Sequence, residues 1–230
     1  MMIEKIIYWL SYAIFGIYIR FMMNPDIEWQ EKLPQGPTII APNHPSTSDP
    51  FIVAMMARRP LNILIIEHIF KIPFVGAYLR RSGHIPVIPT QGRMAFERAR
   101  QLLDQGRTVV IFPEGVISPQ DGTCAPPRTG VARLAALTGA AVVPVGIHLD
   151  SSRIHSVEEH IDGETHLASW YFKGPYRITV GSPMKFQCTL EDRQRISEIS
   201  HIIMNRIVHL AQQSKERAGI WKGTLQPVLD

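Results

Sequence analysis

"PTIIAPNHPSTSDPFIVAMMA", residues 37–57, contains the change of period that decides the fold. Its first part, "PTIIAP", is a short apolar run without helical spacing, as in a strand buried on both faces. Its last part, "PFIVAMMA", resumes as a helix. Pro50 sits at the first helical position, where its missing N–H costs nothing, and Asp49 reads as the N-cap before it. A strand, a polar turn and a helix in this order open an α/β unit. In such sheets sites gather at the carboxyl ends of strands, which is where His44 stands.

The turn also carries the first candidate chemistry. In one continuous helix His44 and Asp49 would lie about 140° apart and could not meet. Pro45 disfavours helix at His44, and Ser46-Thr47-Ser48 favours turns, so the chain bends and the pair can approach. One oxygen of Asp49 can then serve the helix N–H groups while the other accepts imidazole Nδ1–H, leaving Nε2 as a proton acceptor. The plainer alternative is a capped helix beside an ordinary loop histidine, which accounts for Asp49 and leaves His44 unexplained.

Working outward, "LNILII", "HIPVI", "TVVIFP", "AVVPVGI" and "YRITVG" read as further strands. Between them "RMAFERARQLLDQG" and "TGVARLAALTG" read as helices closing on Gly106 and Gly139. The expectation is an α/β fold of one domain, with a central mostly parallel or mixed sheet flanked by helices. Near the end of the chain, Ile196, Ile199, Ile203, Ile207 and Leu210 form one stripe of a packing helix, on which His201 and His209 are ordinary helix residues. Pro113-Glu114-Gly115 breaks the apolar run Val109–Phe112 at a strand end. Glu114 there is either a site residue or an exposed turn residue, and Gly115 lets the backbone approach a ligand closely. Residues 153–166 gather His155, Glu158, Glu159, His160, Asp162, Glu164 and His166, but HExxH is absent. A solvated polar insertion is expected there, and no metal.

A chain of 230 residues that is 45% hydrophobic can build one sizeable core. Cys124 and Cys188 form no CxxC pair, so neither a disulfide framework nor a cysteine metal site is indicated, and a reducing compartment fits. The net charge of +4 suits anionic lipid surfaces or phosphate-bearing substrates. Nucleic acid is set aside, since no binding motif or basic stripe interleaved with aromatics occurs. From Ile6 to Ile19 the chain carries no charge. A helix of that length covers about 21 Å, short of the roughly 30 Å hydrocarbon core. Together with Tyr8, Trp9, Tyr12 and Tyr18 it reads as an interfacial or partly inserted anchor; the alternative is a buried core helix. The division expected is a membrane-associating helix over 1–25 and a catalytic domain over 26–230.

Taken together, "NHPSTSDP", "IEHIFKIPFVGAYLRRSGHIPV", "FPEGVIS" and "VVPVGI" resemble, in order, four sequence blocks of the glycerolipid acyltransferase superfamily. Its best-known members are the 1-acylglycerol-3-phosphate acyltransferases, and the resemblance runs from Pro37 to about His148. It implies that His44 removes the proton from an acceptor hydroxyl attacking an acyl thioester, and that Asp49 orients and supports the imidazolium. By the same likeness Asn43, Pro113, Glu114 and Gly115 would form the acceptor site. The donor would be acyl-CoA or acyl carrier protein, the acceptor a lysolipid, the place the cytoplasmic face of a membrane, and no cofactor is required.

The chain departs from the family pattern where basic residues are usual. Val116-Ile117 stand at the Thr-Arg positions of the third block, Ile88-Pro89 follow the IPV-like strand, and Ile66 falls near an expected lysine. A guanidinium gives phosphate paired, charge-assisted hydrogen bonds that isoleucine cannot replace. The acceptor therefore lacks a phosphate monoester, or other cations substitute, the candidates being Lys71, Arg81, Arg93 and Arg128. A serine hydrolase is disfavoured by the absence of GxSxG. A thioester hydrolase of another kind, or a noncatalytic lipid-binding homologue, is the rival reading.

Overall fold

The computed structural model describes residues 2–161 and 164–220. Helix α1 (Met2–Tyr18) runs into a π-helical turn, Ile19–Met23, and then strand β1 (Pro25–Trp29). There follow β2 (Thr38–Pro42), α2 (Asp49–Ala57), β3 (Asn62–Ile66) and a 3-10 turn at Glu67–Lys71. Next come α3 (Val75–Arg81), β4 (Ile85–Val87), α4 (Gly92–Asp104), β5 (Thr108–Val110), α5 (Gly130–Thr138) and β6 (Ala141–His148). A hairpin of β7 (Ile154–Ile161) and β8 (Glu164–Tyr171), then β9 (Tyr176–Val180) and the long helix α6 (Arg193–Ile220), complete the order.

The main sheet is ordered β1-β9-β6-β2-β5-β3-β4. From β6 to β4 all neighbours are parallel; β9 runs antiparallel to β6, and β1 parallel to β9. The apolar runs are continuous because both faces are covered. Ile39, Val109, Ile111 and Val142 face a layer that includes Leu102, Leu134 and Ile203. On the opposite face Ile40, Val110, Val143 and Val145 meet Ile52, Val53 and Met56 of α2, with Ile19 and Met23. Burying each such side chain contributes about 1.5–3 kcal/mol. The expected stripe on α6, from Ile196 to Leu210, is buried in this way.

The mixed α/β sheet flanked by helices agrees with the sequence reading, but three elements were not expected from it. One is β1, an edge strand that starts on Pro25 and carries outward charges: Asp26 and Glu28 pair with Arg217 at 3.4 and 2.7 Å. Charged residues and a leading proline are what protect a sheet edge, and they also hide a strand from a search for apolar runs. The second is α3. The third is the hairpin, the regular form taken by the expected solvated polar insertion. Its sequence signal is Asp162-Gly163, a preferred two-residue hairpin turn. Those two residues, and the side chains of Glu159, Glu164 and His166, lie outside the described residues. Among those described, no group of three His, Cys, Asp or Glu residues could hold a metal ion.

The last residues of the N-terminal segment, Ile19 and Met23, are buried against the sheet, whereas Ile6, Trp9, Leu10, Ile17 and Phe21 are exposed. Tyr8's side chain lies outside the description. Among the described residues no helix is long and apolar enough to cross a membrane.

Candidate active site

Adjacent strands β2 and β5 send their outgoing connections to opposite faces of the sheet. The first leads to α2, packed on one core, and the second to α5, packed on the other. A crevice at such a switch point is where α/β sheets take ligands. His44 leaves the end of β2, and Glu114 lies just past the end of β5.

The two ends of His44 are held separately. Its Nδ1 lies 2.7 Å from Oδ2 of Asp49. Its backbone N–H donates to Oε1 of Glu114 at 2.9 Å and to the Ser118 hydroxyl at 3.1 Å. The Ser118 N–H donates back to the His44 carbonyl at 2.7 Å. The ring stacks on Phe112 with centroids 4.0 Å apart. A carboxylate can only accept here, so Nδ1 carries the proton and Nε2 presents a lone pair. The side chain is 17% exposed, so the imidazole is not sealed from solvent at this end of the sheet.

Asp49 is fully buried and accepts from three donors: Nδ1–H of His44, the Ser46 N–H at 2.9 Å, and the Tyr176 hydroxyl on its second oxygen. This corrects the expected division of labour. Asp49 is the first residue of α2 and Ser48 occupies the cap position without a side-chain cap bond, so the oxygen assigned to the helix N–H groups serves Tyr176 instead. Burial, reinforced by the neighbouring Asp49 charge, raises the Tyr176 phenol well above its ordinary value, keeping it a donor.

The polar turn is clamped from outside by β8. Thr47 N–H and the Ser46 hydroxyl both donate to the Ser169 carbonyl at 2.8 Å, Ser169 N–H donates to the Thr47 hydroxyl at 2.9 Å, and Ser48 exchanges bonds with the backbone of Tyr171. The three hydroxyl residues thus behave like a further strand against the hairpin. This explains why a turn of Ser-Thr-Ser can be buried without unpaired groups.

Of the four residues expected to form the acceptor site, three are spent on holding the crevice together. Asn43 pairs with both N–H and C=O of Ile147, at 2.7 and 2.9 Å, extending β2 against β6 beyond Pro42. Glu114, 2% exposed, accepts from His44 N–H, from the Ser118 hydroxyl at 2.7 Å and from Ala125 N–H at 2.6 Å. Pro113 is buried and its carbonyl accepts Arg128 N–H at 2.8 Å. Only Gly115 is exposed. Its φ of +68° favours glycine, and a Cβ added there would come within 2.6 Å of the Arg128 Nε. Arg128 therefore lies over Gly115, beside the crevice.

The other candidate cations separate by topology. Lys71 and Arg93 are exposed on the carboxyl edge, after β3 and after β4. Arg81 is on the opposite edge: Gly83, two residues on, bonds the side chain of Asn62, the first residue of β3. Cys124 also lies close to Glu114. Its thiol is pushed up to about 12 by burial and then by the Glu114 charge, so it offers no thiolate nucleophile. Tyr176 and the Ser169–Tyr171 backbone escape sequence reasoning because they approach from more than 120 residues away. Ser118 was legible in principle, four residues beyond Glu114 in the same motif.

A part-buried histidine on a fully buried aspartate, at the switch point of a mixed α/β sheet, is an arrangement that can take up and return a proton. A family model described as acyltransferase matches residues 24–148, more than half of the chain, and the chain belongs to that family. It is 30% identical over 142 residues to chloroplastic 1-acyl-sn-glycerol-3-phosphate acyltransferases of Brassica napus and Arabidopsis thaliana. That similarity covers 60% of this chain and 39% and 38% of theirs. A 1-acyl-sn-glycerol-3-phosphate acyltransferase of Borreliella burgdorferi is 31% identical over 113 residues, 48% of this chain and 45% of its own. The matches thus span about two fifths of the length of these relatives. The fold is that of the 1-acyl-sn-glycerophosphate (LPA) acyltransferase PlsC from Thermotoga maritima, with a TM-score of 0.61 at 20% identity, over 97% of this chain and 81% of that one.

Proposed function

We propose that this protein is a lipid O-acyltransferase that moves a fatty acyl group from acyl-CoA or acyl carrier protein to a hydroxyl of a lysolipid. The observation that carries the reading is the His44 imidazole held at Nδ1 by a buried carboxylate, with the ring part-exposed at the carboxyl edge of the sheet. Nε2 takes the acceptor's hydroxyl proton as its oxygen attacks the thioester carbonyl. The tetrahedral intermediate collapses with loss of the thiolate, which takes that proton back from the imidazolium. Asp49 stabilises the imidazolium between the two steps. The thioester is already activated, so no acyl-enzyme is needed. Glu114, Asn43 and Pro113 act as positioning residues, fixing the backbone from which His44 projects.

Residues 1–25 would hold the catalytic domain, 26–230, at a membrane surface, and the exposed apolar residues of α1 support this. A soluble thioester donor places the reaction on the cytoplasmic face. Val116, half exposed at the rim, and Ile66 leave the usual phosphate positions without charge. Arg128 over Gly115 is the cation best placed to replace them, which favours an acceptor with an anionic headgroup over an uncharged one.

The test is acyl transfer from a long-chain acyl-CoA, then from acyl carrier protein, to lysolipids with and without phosphate monoesters, comparing wild type with Arg128→Ala. Preference for phosphorylated acceptors, with KM raised roughly tenfold by the substitution, is the expected result. Equal use of both acceptor classes by both proteins would remove Arg128 from the reading. Thioester cleavage without any acceptor would identify a hydrolase. No turnover with either donor would identify a binding protein.

A further inference from the structure

The loop after β3 holds an arrangement that the chemistry at His44 does not use. Phe74 is 91% exposed, the most exposed large apolar side chain among the described residues. Its backbone is strained, with φ 63° and ψ −48°, and Val75 N–H donates to the Pro73 carbonyl at 2.7 Å. That is a classic γ-turn, rare and costly for a residue with a side chain. Its surroundings hold it in place. A Cβ at Gly76 would overlap the Phe70 carbonyl, so the start of α3 lies directly on the 3-10 turn. The same carbonyl accepts from Arg80 Nη1 at 2.7 Å, and Gly76 N–H bonds Ile72. Strain that keeps an aromatic ring in water, where glycine would meet no penalty, points to a partner for that ring.

We infer that Phe74 is a membrane wedge, entering the headgroup boundary of an anionic bilayer beside the crevice and acting as a second contact independent of α1. Two observations select lipid as the occupant. The loop lies on the carboxyl edge with His44, where Ile66, Val75 and Val116 are also exposed. Finally, the exposed cations Lys71 and Arg93 stand on that same carboxyl edge, and their charge suits anionic headgroups. A ring at this depth would fix how far the crevice stands from the lipid surface. The inference rests on the reading that the acceptor is a lipid in a membrane.

Partition of the full chain onto vesicles of phosphatidylcholine doped with phosphatidylglycerol tests the wedge without requiring turnover. Phe74→Gly is expected to weaken partition roughly tenfold. Because glycine adopts positive φ without strain, Tm should stay level or rise, and transfer to a detergent-dispersed lysolipid should be unchanged. Phe74→Trp should keep partition, with an added emission component that shifts blue on vesicles and is quenched by lipids brominated in their chains. Unchanged partition of Phe74→Gly, or a tryptophan that remains in water on bound vesicles, would overturn the wedge. So would a loss confined to acyl carrier protein as donor, which would make the loop a protein contact. If wild type transferred no acyl group at all, the acyltransferase reading would fail while the partition ratio still judged Phe74.

Discussion

The turn at residues 43–49 and the exposed apolar residues of α1 and Phe74 break the inside-outside rule in opposite directions. In the turn, a histidine, an aspartate and two serines are buried or nearly so, and each polar group described finds a partner. On α1 and at Phe74, aromatic and aliphatic side chains stand in water. Buried polar groups cost stability unless every bond is made, and exposed apolar ones gain nothing unless a surface covers them. The turn is thus complete within this chain, whereas these exposed side chains are covered only by something outside it. On the proposed reading, chemistry belongs to the first and location to the second.

Substitutions can break that division, and the largest effect is expected at the turn. Asp49→Asn should lower acyl transfer by roughly a thousandfold or more, because an amide cannot hold the imidazole tautomer and support its charge together. Steady-state transfer measured beside Tm would separate this from unfolding. Next comes Glu114, whose three partners are all donors. Glu114→Ala should cost on the order of 3 kcal/mol in urea unfolding. Glu114→Gln should cost nearly as much, because it keeps one acceptor oxygen and sets an NH2 against a donor. A harmless Glu114→Gln would mean that the carboxylate is not the brace described.

A third test uses His84, half-buried where the α3–β4 connection meets β3. Its Nδ1 accepts Ile63 N–H at 3.1 Å, and burial pushes its pKa down to about 4. The folded value lies below the unfolded one near 6.5, so stability is full above about pH 6.5 and is lost as pH falls toward 4. The loss amounts to about 3 kcal/mol. His84→Gln should flatten the dependence of Tm on pH across that window; a parallel curve would place the acid sensitivity elsewhere. The smallest effect is expected for Tyr176→Phe, about 1 kcal/mol of stability and a several-fold slower rate. Its pH–rate profile should also move, because a carboxylate that loses the hydroxyl on one oxygen leaves more negative charge on the other, which faces the imidazolium.

Much of this was legible because strands buried on both faces read as unbroken apolar runs: "TIIA", "TVVIF" and "AVVPV" announced the centre of the sheet and so the edge on which His44 lies. The dyad was legible because its two residues share one turn. What escaped was held by distance or by charge. Tyr176 and Ser169 reach the turn from far along the chain, and no local pattern records that meeting. β1 was hidden by Asp26 and Glu28, whose partners on α6 lie some 190 residues away. The inward orientation of Glu114 was also hidden, since an acid after Pro113 looks like an exposed turn until Ala125 and Ser118 fold over it.

The most direct measurement follows release of free thiol from acyl-CoA with and without a lysolipid acceptor, for wild type and His44→Ala. The account predicts release that depends on the acceptor and falls roughly a thousandfold in the variant, while Tm changes little because Asp49 keeps the Ser46 and Tyr176 donors. Release of equal rate in His44→Ala, or release that ignores the acceptor, would contradict it.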